Sequence, residues 1–425
     1  MLNGILIIAL FLILAVLMFI RKIPTLLAIP IMAIGIAIIA GVPFGGDDGV
    51  LSQIIQKGAT RLADAYAVLI FSTWLGQIML QTGISKSIIK FAAELGGDKP
   101  LLISISLFIA MSLVFTTLTG LGSIIMIGGI VFPILLSVGV PGITAAGIFL
   151  FAYATGAAIN VGQWTYYAQL SGASFDVIKI ISLVLAGLTA IAGLTFLVLE
   201  LRKASVKKYW AKPQFYNNGE NEKEVPKLAM FTPIIPLIFV IGFGTPVIPA
   251  FLLAILFAVI TLRKSFAETI NLITKAAYEG VNDAAPAVML MIGIGMLLNA
   301  VFHPVVSDVI GPFLRAVIPS STLGYVIFFS VLAPLALYRG PLNMWGLGSG
   351  IVGLMIAIGI VPAPAAIGAM LSTERIQITA DPTNTHNVWI ANYVDVDVVD
   401  ILKKLLPYAW VIAVLGIIFV SVFYM

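Results

Sequence analysis

Apolar runs long enough to cross a lipid bilayer follow one another along almost the whole chain. A helix needs ~20 such residues to span the hydrocarbon. Continuous spans read as Leu2–Ile20, Thr25–Val42, Ala65–Leu80, Ile143–Ala158 and Ile180–Leu199, then Met230–Phe243, Val247–Leu262, Asp283–Val301, Ala363–Ala380 and Ile401–Tyr424. The chain is 60% hydrophobic and 10% charged, so lipid must solvate most of its surface. It reads as an all-α polytopic membrane protein. Leu2–Ile20 has neither a basic leader nor a small-residue cleavage site, and is expected to be retained as a span. With no cysteine, disulfides, thiolate metal sites and cysteine catalysis are excluded. The net charge of +4 is no nucleic-acid footprint, because the basic residues sit in loops between spans.

The spans fall into two matching series around one polar stretch, Arg202 to Lys227. Between the third and fourth span of each series lies a longer apolar block, Leu101–Val140 and Thr322–Val361. Each block is broken near its centre by the same four residues, Gly120-Leu121-Gly122-Ser123 and Gly346-Leu347-Gly348-Ser349. Glycine-interrupted segments at corresponding places in two halves are a pointer to a substrate site at mid-membrane. A re-entrant hairpin in each block, with the N-terminus outside, puts most of the 23 Lys and Arg on the cytoplasmic side. Arg21, Lys22, Lys86, Lys90, Lys99, the linker's basic residues, Arg263, Lys264, Lys275, Lys403 and Lys404 all fall there, as the positive-inside rule demands.

Each half then has five spans and one hairpin, and the odd number of crossings makes an inverted-topology repeat. The expected organisation is a first repeat over 1–201, a cytoplasmic linker over 202–227 and a second repeat over 228–425, with both termini outside. Amphipathic stretches Leu51–Leu62, Ser85–Ala93, Phe266–Ala277 and Val306–Val317 join the spans.

Backbone that leaves the helix inside a membrane must be buried in protein or line a wet cavity. Four places are expected to do so: the tips Thr116–Ser123 and Arg339–Gly346, and the breaks Asn160–Trp164 and Asp381–Trp389. A helix that starts at mid-membrane turns free N–H groups and a positive dipole end toward an anion. Candidate substrate-binding residues are therefore Thr117, Thr119, Gly120, Gly122, Ser123, Asn160, Gln163, Arg339, Gly340, Asn343, Thr383, Asn384 and Thr385. Arg339 is the expected partner of the anionic group, since a guanidinium forks onto a carboxylate. Freed carbonyls with Thr119, Asn160, Thr383 and Asn384 could instead hold Na⁺. Asp381, Glu374, His386 and Asn387 are the candidates for coupling to a cation. Glu374 and Arg375 are neighbours that point in different directions on a helix, and a buried structural pair is the competing reading. His303 and His386, the only histidines, lie in different segments, which argues against a metal site.

With these residues in view the chain resembles the ion transporter superfamily of secondary carriers. It is most similar to the gluconate:proton symporter family, and more distantly to the citrate and divalent-anion symporters. Tyr338-Arg339-Gly340, the Asn384 to Trp389 stretch and Thr383-Asn384-Thr385 carry the resemblance. The first tip, Thr117 to Ser123, departs from both patterns. The resemblance implies an elevator-type carrier, a homodimer in a bacterial or archaeal inner membrane. It implies cation-coupled (H⁺ or Na⁺) symport of a small organic anion such as a sugar acid, dicarboxylate or citrate, with no cofactor. A Na⁺/H⁺ antiporter and the large membrane subunit of a TRAP transporter are the rival readings. An intramembrane enzyme, which would need a nucleophile with a base or a metal cluster, is disfavoured by the absence of cysteine and by two histidines that lie far apart.

Overall fold

A computed structural model describes residues 2–20, 22–97, 99–203 and 225–425. The expected linker, 202–227, lies outside the described residues from 204 to 224. Among the described residues the secondary structure is helical, with no strand.

The first half gives α1 (Leu2–Phe19), α2 (Thr25–Ala40), a long run α3 (Val50–Gln81) and α4 (Ile84–Gly96). A hairpin of α5 (Pro100–Val114) and α6 (Gly120–Ser137) follows, then α7 (Gly142–Ala158), α8 (Val161–Ser171) and α9 (Phe175–Lys203). The second half repeats that order. It gives α10 (Lys227–Gly242), α11 (Val247–Leu262), the long α12 (Phe266–Phe302) and α13 (Pro304–Val317). The hairpin α14 (Thr322–Arg339) and α15 (Leu347–Ala357) follows, then α16 (Ala363–Ala380), α17 (Thr385–Tyr393) and α18 (Val398–Tyr424).

Local chemistry fixes the ends of these helices. Ser265 and Glu268 form a reciprocal capping box at the start of α12, satisfying orphan N–H groups. Gly41 closes α2 with φ 98°, a left-handed conformation that glycine adopts without a β-carbon clash.

The two long helices, α3 and α12, form one spine. Their contacts run in opposite directions along the two chains: Asn299 Nδ2 donates to Gln53 O (2.7 Å), and Thr73 Oγ1 donates to Gly280 O (2.8 Å). They are therefore antiparallel. Small residues let the backbones meet, as is usual between membrane helices. A β-carbon on Gly58 would fall 2.7 Å from Met296 Cα, and one on Gly280 would fall 2.8 Å from Trp74 Cα.

Around the other core element, α16, the packing is complete: every residue from Ala365 to Ala380 is buried. Gly368 and Gly416 let α18 approach it, the first against Val420 and the second against Ser372.

Several expectations change. Leu51–Leu62 and Ala65–Leu80 join into α3, and Phe266–Ala277 runs into Asp283–Val301 as the single 37-residue α12. Pro286 stands inside α12 without ending it. Met230–Phe243 is no regular span. It is a 3₁₀ turn, a short α turn and a π turn, with Pro233 and Pro236 removing the donors that an α-helix needs there.

Candidate functional site

The second tip is held by a stripe of polar residues on one face of α16. Thr373, Gln377 and Asp381 recur every four residues, the spacing that lines one helix face. All three address the main chain of the tip. Thr373 Oγ1 donates to Leu342 O (3.2 Å), and Gln377 Oε1 accepts from Met344 N (3.1 Å). The Asp381 carboxylate accepts from Tyr338 N (3.0 Å) and Arg339 N (3.4 Å). Tyr338 and Arg339 have φ of 56° and 57°, a left-handed pair that costs ~1–3 kcal/mol per residue unless the surroundings impose it. Asp381 supplies that imposition, and it also accepts from Thr383 N (2.9 Å) and Thr383 Oγ1 (2.7 Å). Gly340 is required by space: a β-carbon would collide with the carbonyl of Leu335. Asn343, buried, closes the loop by accepting from Trp345 N at Oδ1 (3.1 Å).

At the break between α16 and α17 three side chains take the carbonyls left open by the end of α16. Asn384 Nδ2 donates to Gln377 O (2.6 Å), Asn387 Nδ2 donates to Asp381 O (2.9 Å), and His386 Nε2 lies 3.1 Å from Ile378 O. The His386 ring also packs edge-on against Tyr153 of α7, with centroids 5.3 Å apart. The break between α7 and α8, bent by 61°, is closed differently. Asn160 Oδ1 accepts from Gly162 N (2.9 Å) and Gln163 N (3.2 Å), a side-chain N-cap.

A buried polar cluster joins that first break to the second tip. Glu374, fully buried, accepts from Tyr167 OH (2.9 Å), Trp345 Nε1 (2.9 Å) and Arg375 Nη2 (2.6 Å). Arg375 Nη1 donates to Ala154 O (2.8 Å), and Tyr167 OH stands 3.0 Å from Gln163 Oε1. The Tyr166 ring stacks on the Trp345 indole at 4.7 Å. Glu374 and Arg375 pair although they are neighbours on the helix, which is the buried structural pair that stood as the competing reading.

The first tip lies elsewhere, against the spine. Ser72 Oγ of α3 donates to Thr117 O (3.3 Å), and Thr116 Oγ1 donates to Pro233 O of α10 (3.3 Å). Gly122 faces Asp283 of α12, whose Oδ1 is 3.9 Å from where its β-carbon would sit. Thr119 precedes α6 without a side-chain cap, Gly120 opens the helix with φ 83°, and Ser123 is buried in its first turn. Thr385 opens α17 and Asn384 offers it no side-chain cap either.

These two uncapped starts point the same way. A β-carbon on Gly128 would lie 2.7 Å from the Trp389 ring, and the Phe132 and Tyr393 rings are 5.3 Å apart. The contacts advance together along both helices, so α6 and α17 run parallel. Their first-turn N–H groups lack intrahelical acceptors and present two positive dipole ends toward one end of the molecule. At break one the donors of the α8 start are taken by Asn160. At tip two Asn343, Gln377 and Asp381 take the loop amides of Tyr338, Arg339, Met344 and Trp345, and α15 itself starts at Gly346–Leu347 without a side-chain cap. Arg339 is exposed, and its guanidinium has no polar partner among the described residues.

Comparison with known proteins places this geometry. The model of the C4-dicarboxylate anaerobic carrier family, DcuC, matches residues 51–338, more than half of the chain. The chain belongs to that family. It is a secondary transporter of organic anions in a membrane, and not an enzyme. Membership supports the transporter class of the resemblance, but not its gluconate specificity. Among solved structures the chain is similar to the YdaH transporter of Alcanivorax borkumensis, with a TM-score of 0.58 and 15% identity over 85% of this chain and 87% of that one. That likeness is one of fold. No curated protein matches the sequence.

Sequence reading missed Tyr166, Tyr167, Thr373, Gln377 and Asp283 as site residues, and placed Trp345 in the second tip without a role. The four-residue spacing of Thr373, Gln377 and Asp381 was a usable signal, being polar on an otherwise apolar span. Nothing local marked the aromatic residues, whose partners lie in the other half of the chain.

Proposed function

We propose that the chain carries a four-carbon dicarboxylate by cation-coupled symport, with H⁺ or Na⁺ as the driving ion. The observation that carries this reading is the pair of parallel, uncapped helix starts, α6 at Thr119–Gly120 and α17 at Asn384–Thr385. Two positive helix ends facing one way suit a solute with a carboxylate at each end. Thr119, Gly120, Gly122 and Ser123 would hold one carboxylate, and the open main-chain N–H groups of the α17 start at Asn384–Thr385 the other, with Thr383 bonded to Asp381 beside them. Thr117, Asn160, Gln163, Gly340 and Asn343 would keep the breaks open around them. Arg339 is the exposed cation that would meet the solute at the second tip. Glu374, Asp381, His386 and Asn387 form the candidate coupling shell, and Thr119, Asn160, Thr383 and Asn384 supply the oxygens for Na⁺.

The repeated order of elements and the antiparallel α3 and α12 support an inverted repeat. An inner-membrane location with both termini outside is the part of this reading that rests on the distribution of Lys and Arg. In the elevator reading α1–α3 and α10–α12 form a scaffold, and the hairpins with α7–α8 and α16–α17 move against it in each subunit of a homodimer. Purified protein in liposomes tests the proposal. Labelled succinate should accumulate under an imposed H⁺ or Na⁺ gradient, and excess unlabelled fumarate should compete while gluconate should not. Uptake of gluconate in preference to succinate would overturn it.

A further inference from the structure

An apolar groove of about 1110 Å³ opens on the side of the molecule between α1, α13 and the second hairpin. We propose that it holds an acyl chain of a phospholipid with an amine-bearing, zwitterionic headgroup. Its position selects the occupant. The lining along α1 runs from Leu2 to Phe11, about 14 Å at ~1.5 Å per residue. One leaflet of hydrocarbon is roughly 15 Å deep. The groove therefore has the depth of a single lipid tail. Its walls are aliphatic and aromatic side chains, such as Ile8, Phe313 and Ile351, and its margins are exposed apolar residues such as Val317 and Leu335. In a membrane, lipid is the medium that meets such residues.

The polar residues of the lining are Asn3 and Asp308, each near the start of its helix. Among the described residues no lysine or arginine lines the groove, and the nearby Arg315 is turned to Ile358 O (2.9 Å). Asp308, an exposed carboxylate at the rim, favours an ammonium headgroup over an anionic one. Glycine shapes the wall: Gly4 has no β-carbon, so the Phe313 ring lies directly on α1. Pro341 and Leu342 of the second tip belong to the same lining, so the tail touches the loop that Asp381 anchors.

The test uses the full chain in phosphatidylcholine liposomes carrying a trace of diazirine-tailed phosphatidylethanolamine or phosphatidylglycerol. After irradiation, labelled residues are mapped by mass spectrometry. Labelling should concentrate several-fold at Ile8, Phe11 and Ile351 relative to Leu256 and Ile260, lipid-facing residues of α11, and should favour the ethanolamine lipid. Ile351→Trp should fill the groove and abolish the excess. If that variant misfolds, Asp308→Lys, at the exposed rim, should reverse the headgroup preference. Labelling no greater than on α11, or equal for both headgroups, would overturn the proposal. The readout does not involve transport, so it stands or falls apart from the choice of solute.

Discussion

Asp381 is a buried anion whose partners are main-chain N–H groups and a threonine, and this decides how it responds to substitution. Asp381→Asn keeps the shape, but removes the charge and one acceptor. Hydrogen bonds to charged groups contribute ~1.5–3 kcal/mol, so a loss of about 2 kcal/mol in unfolding free energy is expected, with uptake reduced at least as much as stability. Denaturation in detergent beside a liposome assay measures both; unaltered stability would mean that the left-handed pair at 338 and 339 is held by something else. Glu374 invites a sharper comparison. Glu374→Gln leaves the Arg375 guanidinium buried without its counter-charge, for which roughly 3–5 kcal/mol of destabilisation is typical. Adding Arg375→Met to it should recover part of that loss, and a double variant less stable than the single one would show the two charges to be uncoupled.

Between elements, glycine at one position and not its neighbour sets the approach of α6 to α17. A side chain at Gly128 would meet the Trp389 ring, whereas one at Gly129 would enter open space. Gly128→Val should therefore cost about 1–3 kcal/mol by overpacking and weaken dicarboxylate binding, while Gly129→Val stays close to wild type in both. Equal effects of the two would refute the pairing. Most helices were legible in sequence because their signal is local: an apolar run bounded by Gly, Pro or charge, as at Val247–Leu262 and Ala363–Ala380, whose ends the structure reproduces. The fused α3 and α12 were not, since a polar residue such as Asp283 reads as a boundary until Gln77 of α3 is seen to donate to it at 2.6 Å. At the site the tips and breaks were legible as Gly, Asn and Thr clusters. Which main-chain donors are already satisfied was not, because that depends on acceptors brought by other segments, such as Gln377 for the amide of Met344.

For the whole molecule, motion of the first hairpin against the spine is the quantity to measure. The chain has no cysteine of its own, so an introduced pair gives the only thiols present. Gly76 of α3 faces Leu118 at the first tip, with 3.0 Å between its β-carbon position and the leucine side chain. Oxidation of a Gly76→Cys, Leu118→Cys variant should stop dicarboxylate flux, and reductant should restore it. Full flux through the oxidised protein would mean that the hairpin and α3 travel together, against the elevator reading.

The stripe on α16 grips its loop by peptide groups alone, at Leu342 O, Met344 N, Tyr338 N and Arg339 N. The Arg339 side chain takes no part in that fastening, unlike the Trp345 indole, which donates to Glu374 at 2.9 Å. In the proposed site, solute preference would be retuned by exchanging Arg339, and those four main-chain bonds would be inherited unchanged.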